Sequence, residues 1–232
     1  MNSISRPLPV RNWIAVFIVV MTPSVALSDV DPINLYGDVI NFDVLREGKV
    51  IGQHETRFSW KNNELFVRSR MFLEISVLIF PVYAFDYKST EIWKNDRLEG
   101  LKVRVVDGDE KTEVIATLTA RGNMLNISGP NGPATVENSI LSTNHWNAAV
   151  VHDNKVLNTL TGKVNHVVIE PGGVQLLSLP HGTVQTVRYD YTGDLSGTSV
   201  WYDSDGRWVK LQFKARDGST IDYRCTSCGA GG

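Results

Sequence analysis

Five histidines and two cysteines are the side chains of this 232-residue chain best suited to chemistry. His145 sits in the block Asn144-His145-Trp146-Asn147, the densest polar and aromatic cluster in the sequence. Two amides and an imidazole can fix a polar head group while the indole stacks on it, as at the rim of a ligand pocket. The same four residues equally suit a plug, with Trp146 closing one end of a curved sheet and the asparagines satisfying loose backbone groups. His152 lies seven positions beyond His145, which on a helix is about 10.5 Å, too far for the two to share a metal. His54 shares one strand face with Val50, Gly52, Thr56, Phe58 and Trp60 and is expected to point inward, which suits a hydrogen-bonded core histidine better than a general base. His166 and His181 have no partner at a useful spacing.

Both cysteines belong to Cys225-Thr226-Ser227-Cys228. A reactive dithiol expects such a pair at the start of a helix, where the helix dipole lowers the thiol pKa. Here the pair runs into Gly229-Ala230-Gly231-Gly232, which cannot form that helix, so a Cys225–Cys228 disulfide closing a small loop is expected. No second C-x-x-C is available for zinc. The sequence has no nucleophile elbow, no phosphate-binding glycine loop, no dinucleotide fingerprint and no H-E-x-x-H. Asp107, Asp109, Asp203, Asp205 and Asp217 sit in turn sequences where carboxylates cap backbone amides. No cofactor and no metal is implied, and the residues favour binding over catalysis.

These side chains need elements to position them. Residues 1–28 carry Arg6 and Arg11, a nine-residue apolar run from Trp13 to Met21, Pro23 and the small-residue pattern Ala26-Leu27-Ser28, which read as a secretory signal peptide and imply a periplasmic protein. The run is shorter than the roughly 20 apolar residues that span a bilayer, so no transmembrane segment is expected once the signal is removed. Removing its two arginines takes the formal charge from -2 to about -4. That weak acidity argues against nucleic acid, which needs a basic face.

From residue 36 onward apolar and polar residues alternate, with turn residues every 8 to 14 positions. Leu65, Val67, Met71, Leu73, Ile75 and Val77 share one face, as do Val209, Leu211, Phe213 and Ala215 opposite Trp208, Lys210 and Gln212. Turns such as Asp203-Ser204-Asp205-Gly206 imply hairpins and hence antiparallel neighbours. Alternation stops between Pro133 and Lys163, where Asn138 to Asn154 suits a short helix capped by Asn138 or Ser139. The longest apolar run, Val77 to Phe85, is either a corner between strands, with Pro81 at a bend, or the lip of an apolar groove. Phe58, Trp60, Tyr83, Phe85 and Tyr87 are expected on the inner face.

Several blocks resemble one family in order and content. They are Phe42-Asp43-Val44 with Gly48, Ile51-Gly52 and His54; Asn144-His145-Trp146-Asn147; and Leu157-Asn158-Thr159 with Gly162-Lys163. Trp201-Tyr202-Asp203 with Gly206-Arg207-Trp208-Val209-Lys210 and Asp217-Gly218-Ser219 with Ile221-Asp222-Tyr223 complete the set. The chain resembles the exported bacterial domain-of-unknown-function family 6134 over nearly all of its mature length. The resemblance implies an envelope β protein with no assigned activity and supplies no catalytic residues; Cys225 and Cys228 lie outside it.

The sequence therefore predicts an all-β fold: a curved antiparallel meander of roughly 10 to 13 strands. It should form a barrel or half-barrel, calycin-like or lipoprotein-carrier-like, with one short helix. Residues 1–28 are the signal peptide, 29–224 a single β domain and 225–232 a Cys/Gly-rich tail. The expected function is non-catalytic binding of a hydrophobic small molecule or lipid, with Phe80, Tyr83, Phe85, His145, Trp146 and Asn147 at the site. The alternatives are an assembly factor whose partner is another envelope protein, and a small hydrolase or isomerase using His54 or His145.

Overall fold

Alternating residues and tight turns build one antiparallel sheet wound on itself. The computed structural model describes residues 31–77 and 80–229, without the side chains of 76–82; residues 1–28, expected to be a signal peptide, lie outside the described residues. A short helix α1 (Pro32–Tyr36) is followed by β1 (Val39–Arg46), β2 (Lys49–Lys61), β3 (Glu64–Val77), β4 (Phe80–Lys94), β5 (Arg97–Asp107), β6 (Glu110–Leu118), β7 (Met124–Ser128) and β8 (Ala134–Glu137). The second half holds β9 (Leu141–Ser142), a 3-10 turn (Ala148–His152), β10 (Lys155–Leu157), β11 (Val164–Leu179), β12 (Gly182–Gly193), β13 (Ser199–Asp203), β14 (Trp208–Lys214) and β15 (Thr220–Ser227).

Local chemistry sets the hairpins. Asn62 and Asn63 join β2 to β3 with φ of 52° and 63°, and Asn95 and Asp96 join β4 to β5 with φ of 48° and 57°. Two successive positive φ values match the twist of the flanking strands, and Asn and Asp tolerate them best among residues with a side chain.

The strand order is β8-β7-β6-β5-β4-β3-β2-β1-β15-β14-β13-β12-β11-β10-β9. Every neighbour in it is a chain neighbour except β1 and β15, so the first and last strands pair and lock the ends of the chain together. All pairs are antiparallel but β9–β10, which is parallel. The sheet is not closed by hydrogen bonds: its edges are β8 and β9. Only Asn138, Ser139 and Ile140 separate those edges along the chain, and three residues bridge at most about 15 Å. The sheet must therefore curl until its edges almost meet. Asn131 N donates to Thr161 O at 3.1 Å across that seam, and Leu98 N donates to Asn138 O at 2.9 Å beside it. The expected barrel or half-barrel is thus a curled sheet with one seam, which the chain itself spans.

The concave face is the core, with Phe42, Val44, Val67, Leu98, Val103, Leu125 and Leu157 almost wholly buried. Each such side chain contributes roughly 1.5–3 kcal/mol relative to exposure. Fifteen strands replace the expected 10 to 13 because the Pro133–Lys163 interruption contains three short ones in whole or part, β8, β9 and β10.

The helix expected over 138–154 is not there. That stretch gives β9 and then a five-residue 3-10 turn capped by Asn147, whose Oδ1 accepts from Ala149 N at 3.0 Å. The side chains of Ser142, Asn144 and Trp146 bond across the barrel, which holds this stretch extended. The α-helix lies instead at α1, where Asp31 caps Ile33 N at 3.0 Å and Tyr36 stacks on Phe58.

Two expectations about facing are corrected. Phe58 and Tyr87 are buried, but Trp60 is 47% and Tyr83 36% exposed, because long strands keep their alternation past the end of the core. Trp208, placed outward by alternation with Val209, is 1% exposed. A register shift between Trp201 and Tyr202 opposite it turns both Trp208 and Val209 inward.

Candidate ligand cavity

The loop carrying Asn144, His145 and Trp146 enters the barrel and is bonded at every residue. Its anchor is Glu91 of β4, wholly buried. Glu91 Oε2 accepts from the indoles of Trp93 at 2.9 Å and Trp146 at 3.0 Å, and Oε1 accepts from Ser142 Oγ at 2.5 Å and Asn144 Nδ2 at 2.6 Å. Four donors on one carboxylate meet the requirement that a buried charged group be fully hydrogen-bonded. Tyr36 Oη donates to Trp146 O at 2.7 Å and Tyr202 Oη to His145 O at 2.9 Å. These contacts hold His145 at a φ of 58°, a left-handed conformation seldom adopted by a residue with a β-carbon and usually held in place by its surroundings.

Beside this loop lies a cavity of about 180 Å³. His54 of β2, Met71 of β3, Tyr87 of β4 and Tyr223 of β15 line it, with Trp208 and Leu211 of β14 and the loop residues Asn144 and His145. The Trp208 ring stands between the imidazoles, 5.7 Å from His54 and 5.9 Å from His145. Tyr87 Oη donates to Asn144 Oδ1 at 2.9 Å, and Tyr223 Oη points at Met71 Sδ at 2.9 Å. His54 is buried and its Nδ1 has no hydrogen-bond partner among the described residues.

Among the described residues no Lys, Arg, Asp or Glu lines this cavity. Burial pushes His54 down to about 3, helped by the nearby His145, and burial alone pushes His145 down to about 4. The same desolvation pushes the Tyr87 phenol up to about 12 and raises that of Tyr223. At neutral pH the walls are therefore uncharged, offering imidazole, phenol and amide groups that donate and accept, set in an apolar surround. A general base works best with a pKa near the working pH. Both imidazoles fall well short of that, and neither is bonded to a carboxylate among the described residues. Among these residues no group of three or more His, Cys, Asp or Glu side chains is placed to hold a metal.

The residues singled out from sequence scatter. His145 lines the cavity. Trp146 is buried on Glu91, Asn147 caps the 3-10 turn, and both line a second cleft elsewhere. Phe85 is half-buried against the core, and Tyr83 lies at the surface donating to Asp107 Oδ1 at 2.7 Å. Phe80 begins β4, and its side chain is outside the described residues. Cys225 and Cys228 form a disulfide, with Cys225 inside β15 rather than in a tail. Sequence reasoning missed Met71, Tyr87, Trp208 and Tyr223 as wall residues, and read His54 as core. Inward parity marks all but Trp208, but nothing local says which inward positions border empty space.

A family model described as a domain of unknown function, DUF6134, matches residues 42–226. The chain belongs to that family. The DUF6134 match takes in both cavity histidines, Glu91 and the whole Asn144–Asn147 loop, and ends between the two cysteines. No curated protein and no solved structure gives a match.

Proposed function

We propose that this DUF6134 protein is a non-catalytic binding protein of the cell envelope whose ligand is a small, uncharged, amphipathic molecule held in the cavity that His54 and His145 help to line. The observation that carries this reading is a cavity whose described wall residues include no charged side chain but do include two imidazoles, two phenols and the Asn144 and Asn158 amides. A charged ligand would be desolvated without a counter-ion, so the site favours a neutral one. A cavity of roughly 150 Å³ holds a benzene ring, so 180 Å³ suits one substituted ring or a short branched chain. The ligand class is therefore narrower than lipids at large.

Benzyl alcohol and benzoate test this directly, because they share a ring and differ in charge. Benzyl alcohol should raise the thermal midpoint in a dose-dependent way, as any ligand of the folded state does, and benzoate should not. Thr198→Phe, which places a phenyl ring in the cavity wall, should abolish the effect. Equal responses to both compounds, or none to either, would reject the reading. Its envelope location rests on residues 1–28; expression of the full chain should yield a mature protein beginning at Asp29.

A second reading rests on the β11–β12 hairpin, where Val174 and Leu176 are 61% and 71% exposed. It has this arm docking on another envelope protein. Val174→Asp with Leu176→Asp should then abolish recovery of a cross-linked partner while leaving the benzyl alcohol response intact.

A further inference from the structure

A second cleft of about 180 Å³ lies at the end of the barrel where the β2–β3 and β4–β5 turns emerge side by side. Three tryptophans, Trp60, Trp93 and Trp146, and three asparagines, Asn63, Asn95 and Asn147, line it. Its chemistry differs from that of the first cavity: it is rich in amides, carries Lys94 and Asp96 and opens beside an exposed indole. From this we infer a binding site for one uncharged pyranose ring, either a free sugar or the end of a glycan.

The indoles are fixed before any ligand arrives. Trp93 and Trp146, 3% and 4% exposed, both spend their N–H on Glu91 and meet edge to face at 5.6 Å, so they back the cleft while Trp60 supplies its accessible ring. Trp60 donates to Asp31 Oδ1 at 3.2 Å, which orients its ring although 47% of the residue is exposed. A half-exposed indole held by its own hydrogen bond is a stacking surface whose ordering cost has already been met. A pyranose presents apolar C–H groups on its ring faces, and these stack on such a surface.

The polar rim complements the rest of a sugar. Each sugar hydroxyl both donates and accepts, and each asparagine amide offers both functions from adjacent atoms. Asn63 and Asn95 are both exposed and are delivered by turns with positive φ, so two amides reach the rim from neighbouring hairpins. Asn147 supplies a third from the loop, its Oδ1 already fixed by Ala149 N. The Lys94 ammonium lies 4.0 Å from Glu64 across the same two hairpins, so the rim has no uncompensated cation to demand an acidic ligand.

The test is titration of the purified protein with glucose, galactose, mannose and N-acetylglucosamine, followed by calorimetry and tryptophan fluorescence. At least one sugar should bind saturably in the millimolar range or tighter and change the indole emission. Trp60→Ala should weaken that sugar at least about tenfold. Asn63→Gly, which keeps the turn conformation while deleting the amide, should weaken it as well. The thermal midpoint and the benzyl alcohol response should be unchanged in both variants, which separates this site from the first cavity. Absence of binding by all four sugars overturns the inference, as does sugar binding that Trp60→Ala leaves intact.

Discussion

Glu91 Oε2 accepts a hydrogen bond from Trp146 Nε1 at 3.0 Å, joining the C-terminal end of β4 to a loop 55 residues away. Through this contact the Asn144–Trp146 loop becomes part of the barrel interior. Removal of the carboxylate charge should release it. In Glu91→Gln the new amide N–H₂ faces donors it cannot satisfy, and the loss expected from breaking this buried network is about 3 kcal/mol. Urea denaturation of the variant should show that loss, together with altered emission from Trp93 and Trp146. A variant within 1 kcal/mol of wild type, on the order of an ordinary single hydrogen bond, would mean the network is not an anchor.

The two cavity histidines make stability pH-dependent. Both have folded-state pKa values depressed by burial, to about 3 for His54 and about 4 for His145. The unfolded chain, with histidine near 6.5, therefore binds protons that the folded state refuses. Their favourable contribution is complete above about pH 6.5 and is lost as pH falls toward 4, at up to about 1.4 kcal/mol per pH unit for each. His54→Phe fits the ring contacts with Phe42, Trp208 and Tyr223 and carries no titrating group. Relative to wild type it should be about 2 kcal/mol more stable at pH 5 than at pH 7. Denaturation curves that stay parallel at the two pH values would show that His54 titrates normally.

Gly52 is required by close approach. A β-carbon there would strike the carbonyl oxygen of Phe72 and lie 2.8 Å from Leu73 Cα, both backbone atoms of the paired strand β3. Gly52→Ala should cost about 2–3 kcal/mol, as overpacking against a backbone does. Gly100→Ala is the control. Its nearest neighbour would be Ile92 Cδ1 at 3.7 Å, an ordinary contact, and its midpoint should hardly move. Thermal melts of the pair check both statements.

The Cys225–Cys228 disulfide closes a loop with a sequence separation of only 3, and both cysteines are buried. A loop this short removes little chain entropy, so reduction or the Cys225→Ser, Cys228→Ser double variant should cost about 2 kcal/mol without unfolding the protein. Paired urea titrations with and without reductant measure it.

Much of the architecture was legible because it is written locally. Alternation along Leu65–Val77 makes a strand with one buried face wherever it lands, and Asn-Asn or Asn-Asp pairs turn a chain regardless of what surrounds them. The meander, the disulfide and the inward His54 follow from such signals. The interruption at Pro133–Lys163 was visible too, since alternation stops there.

What became of that interruption was decided only in three dimensions. Its asparagines, serine and tryptophan look like helix caps and loop residues until Glu91, a residue of β4, is placed opposite them. Trp208 turns inward because β14 carries an extra residue, Val209, between the partners of Trp201 and Tyr202, an irregularity that shows only when β14 is paired with β13. The cavity is bounded by β2, β3 and β4 from one end of the chain and β14 and β15 from the other, two stretches more than a hundred residues apart. Short-range periodicity fixes which side of a strand faces in. Which inward side chains meet, and where they leave space, depends on how far the sheet curls, and its two edges set that through the three residues between them.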